Sequence, residues 1–69
     1  MSKLPRYFKV AGLGVGWDDE YKVWRVRLVA RGMVACITAS QEMAEHLYAN
    51  DTIAIDVYTD SLTQAMERQ

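Results

Sequence analysis

Residues Tyr21–Arg31 read Y-K-V-W-R-V-R-L-V-A-R, and the alternation inside that stretch decides the fold. Trp24, Val26, Leu28 and Ala30 supply one apolar face, while the positions between them mix Val23 and Val29 with Arg25, Arg27 and Arg31. A period of two is the mark of a strand. Its first face belongs to a core; its second is neither core nor ordinary solvent-facing surface.

The chain outward from this strand follows from turn chemistry. Arg31-Gly32 is short enough for a tight hairpin, which makes Val34 to Thr38 the next strand. With Ala30 and Met33 flanking the turn, Leu28 lies opposite Ala35 and Val26 opposite Ile37, on the core face with Trp24. Val29 then lies opposite Val34, and Arg27 opposite Cys36, on the second face. A slip of one residue would exchange the faces. On the N-terminal side Arg6 to Val15 is extended in character, and Gly14, Gly16, Asp18 and Asp19 supply a turn before Tyr21. Phe8 and Val10 on that strand are assigned to the second face.

Beyond the sheet, Thr38 followed by Gln41 spells a capping box, with Met43, Ala44, Leu47 and Tyr48 at helical spacing and Asn50 as the stop. The spacing predicts one helix over 39–49, laying Met43 and Leu47 on the sheet. Thr52 to Thr59 alternates again and predicts a strand with Ile53, Ile55 and Val57 inward. Asp60 or Ser61 would cap a last turn carrying Leu62, Ala65 and Met66. The expected fold is α+β, a small four-stranded, largely antiparallel sheet in the order β-β-β-α-β with one helix on one face. It forms a single domain over 1–69, with 1–5 and 67–69 frayed.

A chain of 69 residues, 51% hydrophobic, supports one small core and buries only about 60% of its unfolded surface. The single Cys36 excludes an internal disulfide, so nothing covalent compensates for size. A homodimer, or docking on a larger partner, is therefore expected. No apolar run approaches the roughly 20 residues that span a bilayer, and Met1 to Pro5 lacks the pattern of a secretory signal. The expected location is the cytoplasm, with no membrane partner.

Net charge is -1, yet residues 1–31 hold seven of the eight Lys and Arg against three acids, and the remainder holds Arg68 against six acids. Such a chain presents a basic sheet to an anionic partner, pairs head to tail with itself, or sets its opposite charges against each other within the fold.

The chemistry-bearing residues do not assemble into a reaction. Gly12, Gly14 and Gly16 fall short of a phosphate loop, because Trp17 stands where the last glycine belongs, no helix follows, and Asp18, Asp19 and Glu20 repel an anion. Glycines at alternate strand positions instead leave one face bare, so that the sheet bends or Trp24 or a partner's backbone approaches. His46 has Glu42 one turn before it for a hydrogen bond. Cys36, mid-strand, is a small apolar group. No set of His, Cys, Asp and Glu has metal spacing, and no carboxylate pair is placed for acid-base work. The sequence thus describes no enzyme, no cofactor and no metal.

Arg25, Arg27 and Arg31, with Tyr7, Phe8, Lys9 and Tyr21 nearby, suit phosphates and bases. Residues 21–49, with Arg25 and Arg27 on strands and Ala44 and Tyr48 in the helix, resemble in topology the sheet-reading DNA-binding domains of plant transcription factors and integrase arm-binding domains. That likeness implies nucleic-acid binding, against which stands the acidic second half. In outline residues 23–59 also resemble small phage proteins that bind and inhibit host machinery. The reading that follows is a non-catalytic protein-protein interaction module, a small inhibitor or adaptor that occludes a larger host protein. Trp17 at the hairpin tip, Tyr21, Arg25, Arg27 and Arg31 are its expected partner-binding residues; the alternative is a small DNA- or RNA-binding protein using the sheet.

Overall fold

The computed structural model describes residues 4–69. The expectation of a frayed N-terminus falls in part on residues 1–3, outside the described residues. These form four strands, β1 (Tyr7–Val10), β2 (Leu13–Asp18), β3 (Val23–Ala30) and β4 (Met33–Ala39), followed by helices α1 (Gln41–Tyr48) and α2 (Thr52–Glu67). The strands make one antiparallel sheet in the order β1-β2-β3-β4. The α+β class and the four-stranded antiparallel sheet stand as expected, and the element order is β-β-β-β-α-α.

The register across β3 and β4 is the one read from the Arg31-Gly32 turn, with Val26 opposite Ile37, Leu28 opposite Ala35 and Arg27 opposite Cys36. Arg31 and Gly32 both take positive φ, 55° and 74°, the signature of a two-residue hairpin loop that follows the twist of its strands. A second turn of this kind divides the segment expected to be one strand. Ala11 and Gly12, at φ 48° and 84°, join Val10 to Leu13 and turn residues 7–18 into a hairpin. Gly14 and Gly16 therefore lie inside β2, and the turn before β3 runs through Asp19 as expected, with the Asp18 carboxylate accepting from the amides of Glu20 and Tyr21. The same count brings Phe8 opposite Val15, so Phe8 and Val10 pack on the core side, not on the second face.

The larger correction is at residues 52–59, which are helix, not strand. Ile53 and Val57, expected to point inward, are 75% and 53% exposed. The buried positions are Ala54, Ile55, Tyr58, Leu62 and Met66, a stripe repeating every three to four residues and running past Thr59 to the end of the chain. Asp51 caps this helix by accepting from the amides of Ile53 and Ala54, the task expected of Asp60 or Ser61. For α1 the cap is Ser40, whose hydroxyl accepts from Met43 N at 3.2 Å; Thr38 remains in β4. Asn50, at φ 65°, ends α1 as expected and leads directly into α2.

Both helices lie on one side of the sheet. Ala44 and Leu47 of α1 join Leu13, Val15, Trp24 and Val26 beneath the stripe of α2 in one core. Trp24 Nε1 donates to Gln41 Oε1 at 2.7 Å, tying the strand to the start of α1, and Phe8 stands edge-on to Tyr48 at 5.0 Å. The molecule measures 37 × 28 × 15 Å, a thickness that holds one sheet and one helical layer. Glu67 closes α2, Arg68 caps it, and the side chain of Gln69 donates to Val34 O at 3.3 Å.

Candidate functional site

Strand alternation puts Tyr7, Lys9, Gly14, Gly16, Asp18, Val23, Arg25, Arg27, Val29, Val34, Cys36 and Thr38 on the side of the sheet away from the helices. No described element crosses this outer face. Tyr7, Val29 and Val34 are 58%, 61% and 52% exposed on it.

Its rows follow from the register. Lys9, Gly14, Arg27 and Cys36 lie side by side in one row, and Tyr7, Gly16, Arg25 and Thr38 in another. The glycines decide the relief of the surface. A Cβ on Gly14 would stand 2.9 Å from Tyr7 Oη, and one on Gly16 would stand 3.4 Å from Tyr7 Cδ1. The Tyr7 ring therefore lies flat across the bare backbone of β2, an aromatic covering of strand glycines. It was Tyr7, not Trp24, that the glycines admitted. Beside the ring a shallow groove of about 330 Å³ runs between Tyr7 and the arginines and ends at Asp18 and Asp19.

The two arginines are not equivalent. Arg25 Nε donates to Asp18 Oδ2 at 2.7 Å, and its guanidinium sits 5.5 Å from the centre of the Tyr21 ring. The Arg25 bond is the main reason that the Asp18 carboxyl titrates below its ordinary range, with the amides of Tyr21 and Glu20 adding to it; Asp18 in turn holds Arg25 charged. Arg27 and Lys9 have no carboxylate within salt-bridge distance among the described residues. They are the cations that a partner can take without first breaking a bond.

Of the expected binding residues, the structure gathers Tyr21, Arg25 and Arg27 on the outer face. Trp17 goes to the other side: it pairs with Trp24 across β2 and β3, edge to face at 5.4 Å, and its Nε1 donates to Asp19 Oδ1. Its place in the middle of a two-residue register with Trp24, rather than at a loop tip, explains the difference. Arg31 sits in the β3–β4 turn, beside a hollow formed with Met33, Thr63 and Met66. Lys9 and Tyr7 are legible as neighbours in the sequence, but their place on this face follows from the Ala11-Gly12 turn.

The remaining reactive groups stay apart. His46 Nδ1 lies 3.0 Å from Asp51 Oδ2, not on Glu42, at the junction of the two helices. Burial pushes the Asp51 carboxyl up, yet the amides of Ile53 and Ala54 together with His46 outweigh it and hold it below its ordinary value. Cys36 is exposed on the outer face, across the sheet from His46. Among the described residues no three His, Cys, Asp or Glu gather as metal ligands, and no helix is long and apolar enough to cross a membrane. Comparison with protein-family models, curated proteins and solved structures found no match. The strand-strand-helix-strand outline over 23–59, on which the likeness to phage inhibitors stood, is not the observed order, because α2 takes the place of its last strand.

Proposed function

We propose that this protein is a non-catalytic binding module, an inhibitor or adaptor of the cytoplasm, that seats the outer face of its sheet on an acidic patch of a larger protein. One observation carries the reading: both helices cover the same side, and the side left uncovered combines exposed Tyr7, Val29 and Val34 with the unpaired cations Lys9 and Arg27. Apolar area of this kind, rimmed by charge, is what docking surfaces expose. Tyr7, Tyr21 and Arg27 are the anchors, since aromatic and arginine side chains dominate interface energies. Arg25 orders the loop through Asp18 and presents Tyr21. A single exposed thiol suits a reducing compartment.

The test follows from the inequality of the arginines. Arg25→Glu would oppose Asp18 and disturb the loop, whereas Lys9→Glu with Arg27→Glu breaks no bond within the fold and is expected to leave stability within about 0.5 kcal/mol of the parent. Affinity capture from a host lysate should lose its protein partner with Lys9→Glu/Arg27→Glu and keep it with Asp56→Lys/Asp60→Lys on α2. Equal capture by both variants would refute this use of the face.

Nucleic acid is the second reading, favoured by the same free cations lying beside Tyr7 and Tyr21. With Arg25 engaged by Asp18, only Lys9 and Arg27 remain for phosphates on this face, and two such contacts give a salt slope of only about -2. A gel shift at low salt that weakens only gently with added salt would favour it over a protein partner.

A further inference from the structure

The two edges of the sheet are protected very differently. β1 has four residues, is preceded by Pro5 and Arg6, and carries Lys9, all features that discourage pairing with another strand. β4 has seven residues, M-V-A-C-I-T-A, with neither a charge nor a proline among them.

The direction of its main-chain groups follows from the hairpins. Ala30 and Met33 flank a two-residue turn and so exchange hydrogen bonds, as do Leu28 with Ala35 and Val26 with Ile37. Val34, Cys36 and Thr38 therefore turn their N–H and C=O groups away from β3. The Gln69 side chain confirms this direction by donating to Val34 O from outside the sheet. It is the one hydrogen bond that the described residues make to those outward groups.

We infer that β4 pairs with β4 of a second copy of this chain, antiparallel about Cys36, joining two four-stranded sheets into one of eight strands. The segment is self-complementary in this register. Cys36 faces Cys36 of the second copy, Val34 faces its Thr38, and each facing pair exchanges both N–H···O bonds, with the Thr38 N–H of the second copy replacing the Gln69 side chain at Val34 O. On the helix side Ala35 lies opposite Ile37, which is only half-buried at the edge of the single molecule. Half-exposed Val34 gains cover on the other side. No charged side chain opposes a like one across the seam, because Arg25 and Arg27 stand one strand further in. The two-fold axis is normal to the sheet, so the helices of both copies lie on one side and both outer faces on the other. The docking surface proposed above is then doubled, though the pairing does not depend on it.

Sedimentation across the micromolar range should show a species of twice the 7.9 kDa chain mass that dissociates on dilution. Cys36→Lys places two like charges directly across the axis and should give a monomer at every concentration where the parent is a dimer, with unchanged circular dichroism; Cys36→Ser should remain dimeric. Mild oxidation reads the register. Facing residues of a hydrogen-bonded pair have Cα atoms about 5.5 Å apart, within disulfide reach. The parent should cross-link through Cys36. In a Cys36→Ser background, Val34→Cys chains should cross-link to Thr38→Cys chains and not to themselves. A parent that is monomeric throughout, or a dimer that survives Cys36→Lys, overturns the inference. Neither result bears on partner capture by Lys9 and Arg27, so each proposal fails separately.

Discussion

Leu62→Ala and Val57→Ala, made singly, distinguish a helical α2 from a strand at residues 52–59 by opposite signs. Leu62 is fully buried in the described core, and truncating such a leucine costs about 2.7–5 kcal/mol, the spread reflecting how far the cavity collapses. A chain of 69 residues has a total stability of about 3–10 kcal/mol at 0.05–0.15 kcal/mol per residue, so Leu62→Ala removes a large part of it. At about 4–8 °C per kcal/mol for a domain of this size, the midpoint should fall by roughly 10 °C or more. Val57 is 53% exposed on α2, and a β-branched residue on the outside of a helix gives way to alanine with a gain of up to about 0.5 kcal/mol from propensity. If 52–59 were a half-buried strand with Val57 inward, the order would reverse. Val57→Ala would then cost about 1–3 kcal/mol, and Leu62, in a terminal turn, would matter little. Urea unfolding followed by far-ultraviolet circular dichroism measures both. Val57→Ala destabilising by more than Leu62→Ala would refute the helical stripe and the count of covers built on it.

Other consequences are quicker to check. Ala11→Asn should raise stability by about 0.5–1 kcal/mol in the same urea assay, because Ala11 holds φ 48° in a turn where Asn-Gly is preferred. Ser40→Ala should cost about 1 kcal/mol through loss of the α1 cap, while Thr38→Ala leaves that cap intact. Asp18 titrates below 3.8 in the folded chain, so its contribution is present above about that pH and is lost as pH falls through the lowered value. Asp18→Asn should therefore be less stable than the parent near neutrality and converge with it in acid, as read from melting temperature against pH; parallel curves would rule out the Arg25 bond as the cause.

The legible parts of the sequence were those in which one period had no competitor. Between Trp24 and Ile37 alternation and a two-residue turn leave a single register, and the structure has that register. At Thr52–Thr59 two periods coexist. Ile53, Ile55 and Val57 satisfy alternation, and their β-branched side chains favour it, while Ala54, Ile55, Tyr58 and Leu62 satisfy the helix. What separates the two is outside the window: Asp51 before it and Ala65 and Met66 after it extend the helical pattern, and α1 must find a neighbour beyond Asn50. The Ala11-Gly12 turn was hidden for a different reason. Gly14 and Gly16 resemble turn residues, and only the ring of Tyr7 lying over them shows why a strand keeps them. A turn placed after Val15 assigns Phe8 and Val10 to the outer face; the Ala11-Gly12 turn puts Tyr7 and Lys9 there instead.

The uneven charge of the chain becomes an uneven charge of layers. The strands and their turns, residues 6–39, carry six bases against three acids, and residues 40–69 carry Arg68 against six acids. The helical acids do not neutralise the sheet from above, because Lys9, Arg25 and Arg27 point away from the helices, where Asp18 and Asp19 end the groove beside them. Two copies stacked outer face to outer face would bring Arg27 and Lys9 against their own kind, a repulsion that favours edge pairing over stacking. Stacking of one copy's outer face on another's helices satisfies the charges but is a head-to-tail contact, which grows into a ring or an open chain. A closed pair along β4 avoids both outcomes. It would leave the basic face open to the acidic partner proposed above and keep the acidic helices in solvent.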